Sequence, residues 1–290
     1  MSISSIGDSV PKLAIVTTHP IQYQVPLWET LARKRTIKIK VFYASDHGLQ
    51  ARVDPQFGKS FSWDIPLLNG YEFEFLPAVK MVGLPGPVAN RWPLGLGEKL
   101  EQERFHSILI HGYMTGASLA GYWHAQRLRL PILLRGESHL HQKRNPVVRV
   151  FKEMLLRPFL REVQYCLAIG QWNREYWHHY GVKEDRIRTT LYSVDNERFR
   201  DGSSTHRNES KLLRSRWGEQ PGDTIFGYVG KFLPHKGIDV LLDAYQHLRA
   251  HRSDIRLIMI GSAPEESELH DRFKNIPVCT LHGPFREEHI

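Results

Sequence analysis

The sequence predicts an α/β protein of two domains, each built on a mostly parallel, doubly wound sheet, with the second domain incomplete. Three observations carry this. A short β-branched apolar run, a loop and a helical-period segment recur from residue 13 onward. A polar stretch over residues 201–223 interrupts that rhythm, and the same unit restarts at residue 224 but supplies only three strand candidates before residue 290. Parallel strands need long crossovers, and strand-helix alternation packs as such a sheet with helices on both faces.

In the first domain the strand candidates are residues 13–18, 37–43, 107–111, 132–135, 165–169 and 188–192, with an amphipathic helix over 21–33 after the first of them. Residues 45–96 are irregular and rich in Gly, Pro and aromatics, an insertion of the kind that is functional or mobile. The second domain reads as strand 224–229, helix 236–250, strand 256–260, helix 265–273 and strand 278–282. A doubly wound half normally uses about five or six strands, so this one is partial. The division is then a flexible tail over 1–11, a Rossmann-like domain over 12–200, a partly helical linker over 201–223 and a partial Rossmann-like domain over 224–290.

Composition narrows the class. With 41% hydrophobic and 24% charged residues the chain is globular, and its 290 residues can bury a core without disulfide staples. Charges interrupt every apolar run, so no stretch approaches the roughly 18 apolar residues of a membrane span. The opening residues lack the basic and apolar parts of a signal peptide, which makes the cytoplasm the default location. Cys166 and Cys279 each sit in an apolar run, where a small buried side chain is the expected role. The net charge of +8 suits phosphate ligands, anionic lipid or nucleic acid, but no nucleic-acid motif is present.

One segment carries a direct chemical signal. Gly230, Lys231, Lys236 and Gly237 lie between the apolar strand IFGYV and a helix whose Ile238, Leu241, Leu242, Tyr245 and Leu248 form one stripe. Free amides and the helix dipole favour an anion at such a junction, and two lysines add charge. Read alone, two loop lysines are more often simply solvated. A second segment, residues 143–161, carries six basic residues against one acid, with Val147, Val148, Phe151, Leu155 and Phe159 as an apolar face and Pro158 placed to kink or end the helix. It fits a core-packing helix with a solvated basic side, and it also fits peripheral contact with an anionic membrane.

The Gly-Lys loop and the later Lys236-Gly237 resemble glycosyltransferase family 4, the retaining group 1 enzymes of GT-B fold, and Leu257-Ile-Met-Ile-Gly261-Ser-Ala-Pro264 looks like that family's next element. Thr18-His19-Pro20-Ile21-Gln22-Tyr23-Gln24, Trp63 with Leu67-Leu68 and Gly70-Tyr71, Arg135-Gly136-Glu137-Ser138, and Tyr192-Ser193-Val194-Asp195-Asn196 with Phe199 resemble a THPIQY-type subgroup. The resemblance implies transfer of a sugar from a nucleotide-diphosphate donor to a glycan or lipid-linked acceptor, with no metal and no cofactor beyond the donor itself. By the same resemblance Gly230, Lys231, Lys236 and Gly237 hold the diphosphate. His19 and Glu137 are the catalytic candidates, and Gln22, Tyr23, Arg135 and Ser138 contact acceptor or sugar. Many family members place a histidine where this chain has Glu137, a departure that leaves that carboxylate's role open.

Other readings stand beside these. Thr18 or His19 could merely cap a helix that Pro20 opens, and Arg135 and Glu137 could pair with neighbours at the rim. Glu137, His139 and His141 lack a third fixed metal ligand beyond the alternating histidines. At the level of the whole protein the rivals are a sugar-nucleotide 2-epimerase of the same fold and a non-catalytic carbohydrate- or partner-binding module. Family members carry a later element with two glutamates that grip the donor, and this chain ends at Glu287-Glu288-His289-Ile290 before it. The 290-residue chain is therefore expected to bind nucleotide sugars weakly and to transfer little sugar; tight binding in a calorimetric titration would contradict this.

Overall fold

A computed structural model describes residues 10–50, 52–54, 59–61, 63, 65–83, 88–141, 145–261, 276 and 279–281. The tail before residue 10, Lys143 and Arg144, residues 262–264, the predicted helix over 265–273 and the final residues 282–290 lie outside the described residues. The chain divides into two compact units, one of residues 1–49 with 65–194 and the other of residues 50–64 with 195–290.

The elements run β1 (Lys12–Thr17), α1 (Val25–Lys34), β2 (Lys38–Tyr43), β3 (Arg52–Asp54), β4 (Lys59–Phe61), β5 (Glu72–Phe75), β6 (Ala78–Lys80), β7 (Arg91–Pro93), α2 (Leu96–Gln102), β8 (Ser107–His111), α3 (Gly116–Leu128), β9 (Ile132–Gly136), α4 (Pro146–Arg161), β10 (Tyr165–Ala168), α5 (Gln171–His179) and β11 (Ile187–Thr189). They continue with α6 (Asn196–Thr205), α7 (Arg207–Arg216), β12 (Thr224–Val229), α8 (Ile238–Arg249), β13 (Ile255–Ile260) and β14 (Cys279–Leu281).

The first unit is organised by a seven-stranded sheet in the order β11-β10-β9-β8-β1-β2-β5. Every pairing in it is parallel. Strand β1 is buried on both faces, as Ala14, Ile15 and Val16 show, and a strand so covered reads as a continuous apolar run. The chain steps from β1 outward to β5, then returns to place β8 on the other edge of β1. That reversal is a topological switch point, and the crevice outside the carboxyl ends of β1 and β8 is where open parallel sheets receive ligands. Cys166 lies on β10 of this sheet with its side chain fully buried, and burial pushes its thiol up to about 12.

Several sequence expectations change. The first helix starts at Val25 with Pro26 in its opening turn and Gln24 as its N-cap, so Thr18, His19 and Pro20 form a loop ahead of the helix and do not start it. Strand β5 lies within the stretch read as irregular; its Glu-Phe-Glu-Phe alternation is an edge-strand pattern, with Glu74 2.8 Å from Lys40 and 2.7 Å from Lys99. Helix α4 runs through Pro158 to Arg161 without ending there. Its buried residues are Leu156 and Leu160, whereas Val147, Val148, Phe151 and Leu155 are exposed. Most of the face that fitted core packing thus meets solvent, and of its residues Phe159 alone packs against the core. Apolar residues occur almost all round this helix, so periodicity had no single side to select.

In the second unit β12, β13 and β14 pair in parallel in the order β12-β13-β14, and β3 pairs antiparallel with β4 in a separate two-stranded sheet. Helix α8 covers one face through Ile238, Leu242 and Tyr245, which pack with Phe232, Ile255, Leu257, Met259 and Ile276. The residues expected to be a linker form α6 and α7. Gly261, which ends β13, has φ +154°, and a Cβ there would stand 1.9 Å from the Gly230 carbonyl oxygen and 2.9 Å from the Phe232 ring. Backbone cannot yield as a flexible side chain does. Gly261→Ala is therefore expected to destabilise this unit by roughly 3 kcal/mol, read from the denaturant midpoint; a loss under about 1 kcal/mol would refute the packing described.

Candidate functional site

Two groups of residues stand at sites this fold favours for ligands, one in each unit. In the first unit the strands β1, β8 and β9 deliver His19, His111 and Glu137 at or just beyond their carboxyl ends. The turn after β1 closes with the Gln24 amide bonded to the Ile21 carbonyl at 2.9 Å. It carries Gln24 inward, and the buried Gln24 amide nitrogen stands 3.1 Å from His111 Nδ1. His111 Nε2 in turn lies 3.6 Å from Glu137 Oε1. The Tyr23 hydroxyl donates to the same oxygen at 3.4 Å.

These contacts set the charge of the site. His111 first, with the Tyr192 and Tyr23 hydroxyls, holds the Glu137 carboxyl down to about 2 against the opposing effect of burial. At neutral pH it is a carboxylate and cannot donate a proton. His19 is shifted the other way in charge: burial, then the neighbouring His47 and His111, lowers its imidazole to about 4, leaving it neutral. Its Nδ1 is 2.8 Å from Thr18 Oγ1, and its ring meets His47 edge-on at 5.2 Å. The site thus pairs one fixed negative charge with one neutral imidazole.

Arg135 on β9 is buried; its guanidinium lies 5.3 Å over the Tyr192 ring and donates to the Leu191 carbonyl at 3.4 Å. Tyr192 also stands edge-on to Tyr23 at 5.5 Å. Ser138 is held from both ends: its hydroxyl is 2.6 Å from Tyr113 Oη, and its carbonyl accepts from Asn173 Nδ2 at 2.7 Å. Gln22 is half-buried in the preceding turn and, among the described residues, is not joined to this network. Beside Glu137 an open cleft is walled by His139, Ile169, Gly170 and Trp172. Among the described residues no three His, Cys, Asp or Glu side chains group as metal ligands.

Gln24 Oε1, Arg135 Nε and His139 Nδ1 are buried with no hydrogen-bond partner among the described residues. Such orphans are rare in a core, and each one calls for a physical explanation. Sequence reasoning gave site roles to His19, Gln22, Tyr23, Arg135, Glu137 and Ser138, held Gln24 and Tyr192 only as motif residues, and passed over His111. The signal for His111 was available, as a lone polar residue closing the apolar strand SILIH.

In the second unit Gly230 leaves β12 with its amide bonded to the Ile260 carbonyl at 2.9 Å. The Tyr228 hydroxyl donates to the Lys231 carbonyl at 3.0 Å, and buried Phe232 pins the loop to the core. A short 3-10 turn, Pro234–Lys236, leads to Gly237, whose φ of +71° is the left-handed form that glycine adopts without strain. Helix α8 follows, and its first intrahelical bond runs from Leu241 N to the Gly237 carbonyl at 3.0 Å. The amides of Ile238, Asp239 and Val240 therefore have no acceptor within the helix. Lys231 is half-buried in this loop and Lys236 exposed.

Comparison with known proteins bears on the segment that holds the second group and on the fold. Residues 209–278, which include the lysine loop, match the family described as glycosyl transferases group 1. Over 78 residues the chain is 32% identical to a GDP-mannose-dependent alpha-mannosyltransferase of Corynebacterium glutamicum, a match covering 27% of this chain and 16% of that relative's length. The structure of Anabaena HepE in complex with UDP and glucose aligns with a TM-score of 0.56 and 18% identity, over 96% of this chain and 70% of that one. A UDP-GlcNAc 2-epimerase of Neisseria meningitidis aligns with a TM-score of 0.56 and 12% identity, over 96% and 73% of the two chains. These two likenesses show a shared fold.

The depressed His19 value has a consequence for stability. An unfolded histidine binds a proton below about 6.5, whereas the folded one does so only below about 4, so the unfolded state carries more protons in that window and stability falls as pH drops through it. Between pH 7.5 and 5 this amounts to about 2 kcal/mol. His19→Gln is expected to lose less stability than the parent over that interval when both are unfolded in denaturant, and equal losses would contradict the buried neutral imidazole.

Proposed function

Because residues 209–278 match the group 1 glycosyl transferases, we propose that the chain serves in moving a sugar from a nucleotide-diphosphate donor to a glycan or lipid-linked acceptor with retention at the anomeric carbon. The observation that carries this is the loop from Gly230 to Gly237: it lies inside the matched residues, it stands at the carboxyl end of a parallel strand, and it carries Lys231 and Lys236 in the segment that leads into the first turn of α8. The C. glutamicum relative uses GDP-mannose and HepE binds UDP; for this chain we infer a donor of the same nucleotide-diphosphate class.

The chemistry follows from charge. A nucleoside diphosphate leaving group gains negative charge as the glycosidic bond breaks, and preorganised cations and amides stabilise that gain in the transition state. On this reading Lys231 and Lys236 supply the positive charge, so turnover needs no divalent metal. Positive charge grows at the anomeric carbon at the same moment. Glu137, ionised at neutral pH, suits stabilisation of that charge or acceptance of hydrogen bonds from sugar hydroxyls. Neutral His19 suits proton acceptance from, or hydrogen bonding to, an incoming hydroxyl. Tyr23, Gln22, Arg135 and Ser138 belong to the acceptor or sugar side, with Ser138 acting through the loop it anchors.

The lysine loop provides the direct test. Weak binding of UDP and GDP by the 290-residue chain, followed by saturation-transfer NMR at low salt, is expected to weaken about tenfold for each of Lys231→Ala and Lys236→Ala, as loss of one charge-assisted contact implies. Chelator is expected to leave binding unaltered. Unchanged affinity in the double variant would remove the diphosphate site. The epimerase reading, which the shared fold keeps in view, separates by product: conversion of a nucleotide sugar with no acceptor present would favour it.

A further inference from the structure

Helix α4 presents to solvent the apolar surface that an amphipathic helix normally buries. Val147, Val150, Phe151, Met154 and Leu155 are between 57% and 76% exposed, and Val148 is 51% exposed. At 100° per residue they fall on one side, with Val147, Phe151 and Met154 along its centre, directly opposite the buried Leu156. The buried side is already satisfied. Leu156 and Leu160 join the core, Phe159 stacks on Tyr122 at 4.0 Å, and Lys152 turns inward, its ammonium 4.9 Å over the Tyr176 ring. A contiguous apolar stripe of this kind on a protein surface marks a contact site.

Charge identifies the partner. The helix carries Arg149, Lys152, Arg157 and Arg161 against the single acid Glu153, and Glu153 is engaged by Arg157 at 3.8 Å and His179 at 3.2 Å. At its C-terminal end Arg157, Arg161 and Arg186 surround one cleft. Arg186 is committed there, donating to the Leu160 and Arg161 carbonyls at 2.9 and 3.1 Å, which leaves Arg161 exposed at the margin of the stripe. Among the described residues no helix is long and apolar enough to cross a membrane. An apolar strip rimmed by arginines on a helix that packs flat by its other side has the form of an interfacial contact.

We propose that the exposed face of α4 lies in the headgroup region of an anionic lipid bilayer, with Val147, Phe151 and Met154 among the acyl chains and Arg161 on a lipid phosphate. The inference stands apart from the transferase reading, because vesicle binding involves neither donor nor acceptor.

Flotation of the 290-residue chain with vesicles tests it. Binding is expected to vesicles of phosphatidylcholine mixed with phosphatidylglycerol, to be weaker on phosphatidylcholine alone, and to decline as salt rises. Phe151→Glu with Met154→Glu is expected to weaken it by on the order of tenfold or more. Arg161→Gln is expected to cost about fivefold on anionic vesicles. All three substitutions are at exposed positions, so thermal midpoints should match the parent, and the arginine variant tests the proposal even if the glutamates disturb folding. Absence of binding to anionic vesicles at low salt overturns the proposal. So does undiminished binding by the glutamate and arginine variants, or a concentration-dependent dimer abolished by the glutamates, which would give the face to a second copy.

Discussion

The structure of the first unit depends on one constraint: a parallel sheet buried on both faces has to carry every crossover on its faces, and its strand order reverses once. With β2 and β5 on one side of β1 and β8 to β11 on the other, the connections leaving β1 and β8 diverge. What lies between them is a crevice lined by loop residues, whose polar side chains need not fit the core. His19, His111 and Glu137 come from three different strands and meet because of that reversal alone.

The electrostatics of the site follow from the same geometry. Glu137 sits at the open rim, where histidine and tyrosine partners reach it, so its charged form wins over desolvation. His19 lies deeper among other imidazoles, and there desolvation and like charge act together on the neutral side. Both groups are displaced downward, one toward its charged form and the other toward its neutral form, and such perturbed groups within one crevice are characteristic of sites that handle charge during reaction. The second unit uses a different device. Its loop is fixed by Phe232 below and by the approach of Gly230 to Gly261, between a parallel strand and the start of α8.

Much of this was legible in residue order. The strands closing at His111 and Val229 were placed to the residue, and the buried stripe Ile238, Leu242 and Tyr245 followed from its spacing. Strand β5 was not legible, since four residues inside a Gly- and Pro-rich stretch give too little alternation to stand out. Helix α4 was legible as a helix but not in its orientation. Gln24 and Tyr192 were legible as motif residues but not in their contacts, which arise only when β8 brings His111 beside Gln24 and β9 brings Arg135 over the Tyr192 ring.

By itself the sequence determined the class of fold, the alternation of elements and the lysine loop ahead of α8, because these depend on neighbours within a few residues: period, turn chemistry and capping. Tertiary structure alone decided which side of α4 meets water, and that a carboxylate 118 positions beyond His19 shares its crevice. Those are consequences of strand order and packing, in which residues far apart in the chain compete for the same space and the same solvent.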